Sequence, residues 1–85
     1  MIIIFHKNCT KQLKKLSKKE KTKVAERLKL FTVHPFHPQL RNHPLVGRYQ
    51  GYRSIDITPD LRALYIKTNE NTATFVALGS HSQLY

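Results

Sequence analysis

The sequence predicts an α+β fold in which an N-terminal strand and a two-helix hairpin precede a three-stranded antiparallel meander and a short C-terminal tail. Three observations predict it: a β-rich apolar run at the start, apolar residues at helical spacing up to Phe31, and turn residues that separate three β-rich segments after Gly47. With 85 residues the chain has room for one small core, so we expect a single domain over residues 1–85.

The first strand and the helical hairpin are expected before Thr32. The run MIIIFHK indicates a strand at Ile2–His6. Asn8 is the expected N-cap of a first helix, whose apolar positions follow helical spacing: Cys9, Leu13 and Leu16. Ser17 and Glu20 form a capping box, so a second helix should begin where the first one ends, with an apolar stripe of Val24, Leu28 and Phe31.

The rest of the chain reads as a loop followed by the meander. The segment VHPFHPQLRNHPL has three His-Pro pairs and predicts an ordered but irregular loop, because proline removes a backbone donor and restricts the residue before it. Gly47 ends this loop. Strands are expected at Tyr49–Ile57, Leu61–Thr68 and Ala73–Leu78, with Gly79 breaking the last strand and SHSQLY forming a tail or a single helical turn.

Charge and cysteine content indicate the setting and the kind of partner. The net charge of +10 predicts polyanionic partners, and ten of the Lys and Arg residues lie before Thr32. We expect contact with RNA phosphates through Lys14, Lys15, Lys18, Lys19, Arg48 and Arg53. The single cysteine, Cys9, excludes an internal disulfide and fits a reducing, cytoplasmic location, with its thiol in the core. The apolar run is too short to span a membrane, and no basic segment precedes it as in a signal peptide.

Strand parity predicts which side chains face a ligand. In the first strand of the meander Ile55 and Ile57 should pack against the helices, so Asp56 points to the opposite, open face. Arg62 lies next to the turn and can reach the same face. Two simpler interpretations stay open: Asp56 is a solvated strand residue paired with an arginine, and Asp60 is an ordinary turn residue after Thr-Pro.

The chain resembles the RelE/ParE superfamily of bacterial toxins, and most closely its YafQ-type branch. The resemblance covers the whole chain and rests on the order and spacing of four motifs: HPLVG at His43–Gly47, GYR at Gly51–Arg53, PD at Pro59–Asp60 and GSHSQLY at Gly79–Tyr85. It implies a small sheet with an N-terminal helical hairpin, in agreement with the fold expected above. It also implies ribosome-dependent, metal-free cleavage of mRNA and neutralisation by an antitoxin.

The resemblance implies a set of catalytic residues that are distant in the chain. His43 corresponds to the first active-site histidine of the YafQ-type branch, Asp60 to its catalytic aspartate and His81 to its C-terminal histidine. Tyr85 takes the place of the C-terminal aromatic residue of that branch. Arg62 matches a transition-state arginine of the RelE branch.

Two positions depart from the YafQ-type pattern. Asp56 stands where that branch has a second histidine, and Leu61 stands where it has a tryptophan. The general base is therefore either His43 or Asp56, and part of the base-stacking surface differs.

These residue types suit RNA cleavage through the 2′-OH of the substrate. A base removes the 2′-OH proton, the oxygen attacks phosphorus, and an acid protonates the departing 5′-oxygen. The resemblance assigns His81 as the acid and Arg62 as the cation that stabilises phosphoryl charge. Asp60 would orient a histidine or hold its proton, and Tyr85 would stack on a base.

Two other functions are compatible with parts of the sequence. A ParE-like toxin that inhibits a topoisomerase would not need this set of residues, and a catalytically inactive RNA-binding relative is compatible with the Asp56 departure. No cofactor is expected. A zinc site is not expected either, because the spacing HPFH has no helix to aim its rings and no cysteine pair assists: the histidines concerned are His34, His37, His43 and His81.

Overall fold

The computed structural model describes residues 1–84 and has the expected α+β architecture. Its elements in chain order are β1 (Ile2–Phe5), α1 (Lys7–Lys14), α2 (Lys18–Val33), β2 (His43–Pro44), β3 (Arg53–Asp56), β4 (Leu61–Asn69), β5 (Thr72–Ser80) and α3 (His81–Leu84). Short 3-10 turns at Pro38–Leu40 and Gly47–Tyr49 flank β2.

Within residues 1–84 the strands form one five-stranded sheet in the order β1-β5-β4-β3-β2. β1 runs parallel to β5, and the other neighbours are antiparallel. The predicted meander is therefore present as β3-β4-β5. The sheet gains β1 on one side and the two-residue β2 on the other.

The core lies between the helical hairpin and one face of the sheet. Val24, Leu28 and Phe31 of α2 are buried, as their spacing predicted. The Phe31 ring meets Tyr65 and Phe75 edge-on, with ring centroids 4.9 and 5.4 Å apart. The remaining buried side chains of this cluster come from the sheet, the loop and α1: Cys9, Leu40, Ile55, Ile57, Leu61, Ala63, Ala73 and Leu78.

The predicted N-cap is confirmed for α2 and wrong for α1. The capping box of α2 is present, with Ser17 and Glu20 exchanging hydrogen bonds of 3.1 Å. The N-cap of α1 is His6 and not Asn8. The Nδ1 atom of His6 accepts a hydrogen bond of 3.2 Å from the Asn8 backbone N–H, so imidazole takes the capping role that a short polar side chain usually has.

The boundaries of the strands differ from those expected. β3 begins at Arg53 and not at Tyr49, because Gly47 (φ 69°) and Gly51 (φ 94°) turn the backbone out of extended conformation. The irregular loop also contains β2, since His43 and Pro44 pair with Ser54 and Arg53.

The prediction that Gly79 breaks the last strand is wrong. β5 continues to Ser80, and α3 follows directly. A Cβ at Gly79 would lie 2.9 Å from the Gln83 side-chain oxygen, so the glycine allows α3 to pack closely on the strand. The expected helical turn after the last strand is confirmed for His81–Leu84, and Tyr85 lies outside the described residues.

Candidate functional site

A cleft of about 160 Å³ lies on the sheet face that points away from the helices. It is lined by Arg41, His43, Asp56 and Arg62. The strand register explains the grouping, because Asp56 pairs directly with Arg62 across β3 and β4 and their side chains share one face. The parity prediction for Asp56 is confirmed, while Ile55 and Ile57 are buried on the helix side. Arg62, which was expected to reach this face from its place next to the turn, lines the same cleft.

Two arginines approach the carboxylate of Asp56 from different sides. Oδ1 of Asp56 is 3.9 Å from Arg62 Nε, and Oδ2 is 4.0 Å from Arg41 Nη1. Both separations exceed hydrogen-bond length. Nε of Arg62 is buried and has no hydrogen-bond acceptor among residues 1–84. The guanidinium is thus held by charge while it keeps the capacity to donate to a ligand oxygen.

The ring of His43 is fixed by a hydrogen bond to the backbone. Its Nδ1 lies 2.7 Å from the carbonyl oxygen of Arg41. A carbonyl oxygen can only accept, so Nδ1 carries the proton of this bond. In the neutral ring Nε2 then keeps its lone pair and is able to accept a proton.

Asn42 positions the two residues on either side of it. Its amide nitrogen donates to the Pro35 carbonyl at 2.9 Å and to the Tyr65 hydroxyl at 2.7 Å, and its oxygen accepts from Arg53 Nε at 2.8 Å. With Asn42 held in this network, the neighbouring side chains of Arg41 and His43 line the cleft.

Arg41 has an unusual backbone conformation for a residue with a side chain. Its φ of 47° places it in the left-handed region after the 3-10 turn. For a residue other than glycine this conformation costs about 1–2 kcal/mol. The left-handed turn sets the direction in which the chain enters β2, and hence the position of His43.

Asp60 and His81 lie outside this cleft. Asp60 is exposed and lines a separate cavity of about 540 Å³, together with Gly79, Ser80 and Gln83. Its side chain makes no ion pair or hydrogen bond with the described residues. His81 is exposed and begins α3, two residues after Gly79, which pairs with Arg62. The strand register therefore brings His81 to the same end of the sheet as Arg62. Tyr85 is outside the described part of the chain.

The basic residues expected to contact RNA differ in their surroundings. Most are exposed side chains on the helices and the turn after β2: Lys14, Lys15, Lys18, Lys19 and Arg48. Arg53 is instead half-buried. Its guanidinium donates to Asn42 and lies 5.2 Å from the centroid of the Phe36 ring. The histidine before Pro38 has a structural role, because His37 Nδ1 accepts from the Gln39 backbone N–H at 3.1 Å and caps the 3-10 turn.

Two residues of the site were missed by the sequence reasoning. Arg41 carries a signal, since it stands two residues before His43 in a segment where alternate residues can share a face. Ser54 is fully buried beside this face, and its hydroxyl has no hydrogen-bond partner among residues 1–84. For Ser54 the sequence gives no comparable indication, because a serine is ordinary in a strand where polar and apolar residues alternate.

Within residues 1–84 no three or more His, Cys, Asp or Glu side chains are grouped so that they could hold a metal ion. Among the same residues, no helix combines the length and apolar character needed to cross a membrane.

Comparisons with known proteins agree on one family. The profile of the family "Bacterial toxin of type II toxin-antitoxin system, YafQ" matches residues 2–85. The crystal structure of YafQ from E. coli strain BL21(DE3) has the same fold, with a TM-score of 0.82, 22% identity, and coverage of 98% of this chain and 96% of that one. A search of curated protein sequences found no match.

Two further solved structures are similar over almost their full length. A metal-bound toxin from Helicobacter pylori is 35% identical, with a TM-score of 0.72 and coverage of 100% of this chain and 99% of that one. The E. coli DinJ-YafQ toxin-antitoxin complex is 25% identical, with a TM-score of 0.79 and coverage of 98% and 94%.

Proposed function

Because this chain belongs to the YafQ family of toxins of type II toxin-antitoxin systems, we propose that it is a ribosome-dependent endoribonuclease that cuts mRNA through the 2′-OH of its substrate. One observation supports this activity above the others. The cleft combines a histidine whose Nε2 is able to accept a proton with an arginine, Arg62, whose buried Nε has no hydrogen-bond acceptor within residues 1–84.

His43 is the proposed general base. Its Nε2 takes the 2′-OH proton, the 2′-oxygen forms a bond to phosphorus, and the bond from phosphorus to the 5′-oxygen breaks. His81 gives a proton to that 5′-oxygen, which leaves a 2′,3′-cyclic phosphate and a 5′-hydroxyl end. The phosphoryl oxygens carry the developing charge, and Arg62 donates to them.

Asp56 is the proposed positioning residue for the two arginines. Each of its oxygens faces a guanidinium at about 4 Å, an arrangement that favours the carboxylate as an ion-pair partner over a role as the base. The proposal therefore takes His43 as the base, out of the two candidates, His43 and Asp56, that the sequence left open. The part of Asp60 in orienting a histidine, and the stacking of Tyr85 on a base, remain predictions.

The proposed partners follow from charge and from the family. The net charge of +10 supports an acidic cognate antitoxin. In E. coli, DinJ and YafQ form a toxin-antitoxin complex. The exposed lysines of the helical hairpin would contact ribosomal RNA phosphates while mRNA occupies the cleft.

The test is to induce the protein in bacteria, measure growth, and map new mRNA 5′-ends. We expect growth arrest with new 5′-hydroxyl ends for the unmodified protein. We expect the ends to be lost in His43→Ala and His81→Ala, and kept in the matched control His34→Ala, whose ring lies outside the cleft. Growth arrest without new ends would favour topoisomerase inhibition, and no growth arrest would favour an inactive relative.

Asp56 is tested in the same assay. If Asp56 positions the arginines, Asp56→Asn should retain part of the cleavage, because an amide has the size of the carboxylate and its oxygen still presents partial negative charge to Arg62. Complete loss in Asp56→Asn, with cleavage kept in His43→Ala, would reverse the assignment of the base.

A further inference from the structure

A third cavity of about 410 Å³ lies beside β5. Val76 and Ala77 of β5 contribute to its lining. Its rim combines the start of α1 with the turn after β2 and the residue before β3: His6, Asn8, Arg48, Tyr49 and Tyr52. None of these seven residues, all within the described part of the chain, is acidic, so a negatively charged ligand meets no carboxylate here.

The cavity opens on the same sheet face as the catalytic cleft. A bulge in β5 shifts the register, so that Tyr65 pairs with Phe75 while Leu64 pairs with Ala77. In a bulge of this kind two successive residues oppose one position of the partner strand, which lets both Val76 and Ala77 line the cavity. His43, Ser54, Leu64 and Ala77 form one row across four strands. Three strand spacings separate its ends, roughly 14 Å.

The rim offers aromatic surface and a cation. The Tyr49 and Tyr52 rings meet edge-to-face, with centroids 6.3 Å apart and an interplanar angle of 83°. The Arg48 guanidinium lies 5.2 Å from the centroid of the Tyr49 ring. Aromatic rings and guanidinium planes are the surfaces on which unpaired bases stack, and the same guanidinium is able to pair with a phosphate.

The other wall offers groups that can read the edge of a base. Nδ1 of His6 accepts a hydrogen bond from the Asn8 backbone, so the proton of the neutral ring is on Nε2, where it can be donated to a ligand. The side-chain amide of Asn8 is exposed and makes no hydrogen bond with residues 1–84. An amide provides a donor and an acceptor side by side, which suits the polar edge of a nucleobase.

We propose that this cavity is a nucleotide subsite for single-stranded RNA, which holds a base a few nucleotides from the cleaved phosphate and contributes to the choice of cleavage site. The RNA substrate is that of the proposed function, on which this inference rests. The base stacks on the tyrosine pair, Arg48 pairs with a backbone phosphate, and Asn8 contacts the base edge.

Direct binding tests this subsite without requiring cleavage. The probe is a single-stranded RNA hexanucleotide in which every 2′-OH is methylated, so that it cannot be cut, added to isotope-labelled protein and followed by NMR. We expect shifts at Asn8, Tyr52 and Ala77 as well as in the cleft. Tyr52→Leu should weaken binding roughly tenfold, the size expected from the loss of one stacked base.

Matched variants separate stacking from charge and from misfolding. Tyr52→Phe keeps the ring and should retain binding, whereas Val33→Ala trims an exposed apolar side chain outside the cavity and should change nothing. Unchanged affinity in Tyr52→Leu would overturn the subsite. This holds even if Arg48→Gln weakens binding, because charge alone would then account for the affinity.

The cellular assay separates this inference from the proposed function. We expect Tyr52→Leu to redistribute the mapped 5′-ends among sites while His43→Ala removes them. An unchanged distribution in Tyr52→Leu would overturn the subsite alone. The absence of new ends with the unmodified protein would overturn the proposed nuclease, whatever the binding data show.

Discussion

On one side of the segment formed by β3 and the residue after it, Ile55 and Ile57 pack into the hydrophobic core; on the other, Ser54 and Asp56 lie beside the cleft. The core face is satisfied by packing alone. The cleft face holds a carboxylate between two guanidiniums, together with a buried arginine nitrogen and a buried hydroxyl that find no hydrogen-bond partner within residues 1–84. The same short strands therefore provide stability on one side and unsatisfied polar groups on the other, and mutations should separate the two.

The largest effect on stability is expected at the core face. Phe31→Ala should lower the free energy of unfolding by about 3–5 kcal/mol, since it removes the ring that packs between Tyr65 and Phe75. Urea denaturation followed by circular dichroism measures this change. Phe36→Ala is the matched control, because that ring is 68% exposed. Equal losses in both variants would contradict the assignment of Phe31 to the core.

The next largest effect on stability is expected at Cys9 and depends on pH. Burial raises the pKa of the Cys9 thiol from 9.0 to about 11. The folded state thus favours the neutral thiol, and its contribution to stability is complete below pH 9 and is lost as pH rises to 11 and above. The slope is about 1.4 kcal/mol per pH unit for one group, or about 2–3 kcal/mol over the whole range.

Comparison with Cys9→Ala isolates this contribution from other groups that titrate in the same range. Urea denaturation at pH 8, 9, 10 and 11 should show the stability difference between the unmodified protein and Cys9→Ala shrinking as pH rises. A constant difference would show that the thiol titrates alike in both states.

A smaller loss of stability is expected at Asn42, which connects the core residue Tyr65 with the residues that line the cleft. Asn42→Ala removes the partner of the Tyr65 hydroxyl and of Arg53, and should destabilise the protein by about 1–3 kcal/mol. It should also reduce mRNA cleavage, because Arg41 and His43 lose their anchor. Gln50→Ala is an exposed control in the following turn. Cleavage that stays normal in Asn42→Ala would mean that β2 holds His43 without this network.

The smallest effect on stability is expected in the cleft. The double variant Asp56→Asn/Arg62→Met replaces the charge pair by neutral groups of similar size and should change the free energy of unfolding by less than about 1 kcal/mol. Cleavage should nevertheless fall about 10²- to 10³-fold, the usual cost of removing one donor to developing charge. A large loss of stability would show that the pair belongs to the core and not to the chemistry.

Local patterns predicted much of this fold and part of the site. Helical spacing located Val24, Leu28 and Phe31, strand parity placed Asp56 on the open face, and the nearby turn indicated that Arg62 could reach it. The parallel pairing of β1 with β5 and the short β2 were not predicted, because both depend on contacts between distant segments. His6 was not predicted as the N-cap of α1 because imidazole is uncommon in that position. Arg41 was not predicted as a cleft residue because the turn that precedes it sets its left-handed backbone.

The position of β5 between β1 and β4 affects the order in which the chain assembles. Ile2 pairs with Thr72 and Phe5 with Phe75, so β1 has no partner until residues 72–80 have been synthesised. Contacts between such distant segments form late and slow the folding of a small domain. We expect the β3-β4-β5 meander to form first, with β1 docking last. A newly made toxin would thus pass through a delay before it becomes active, and during that delay an antitoxin has time to capture it.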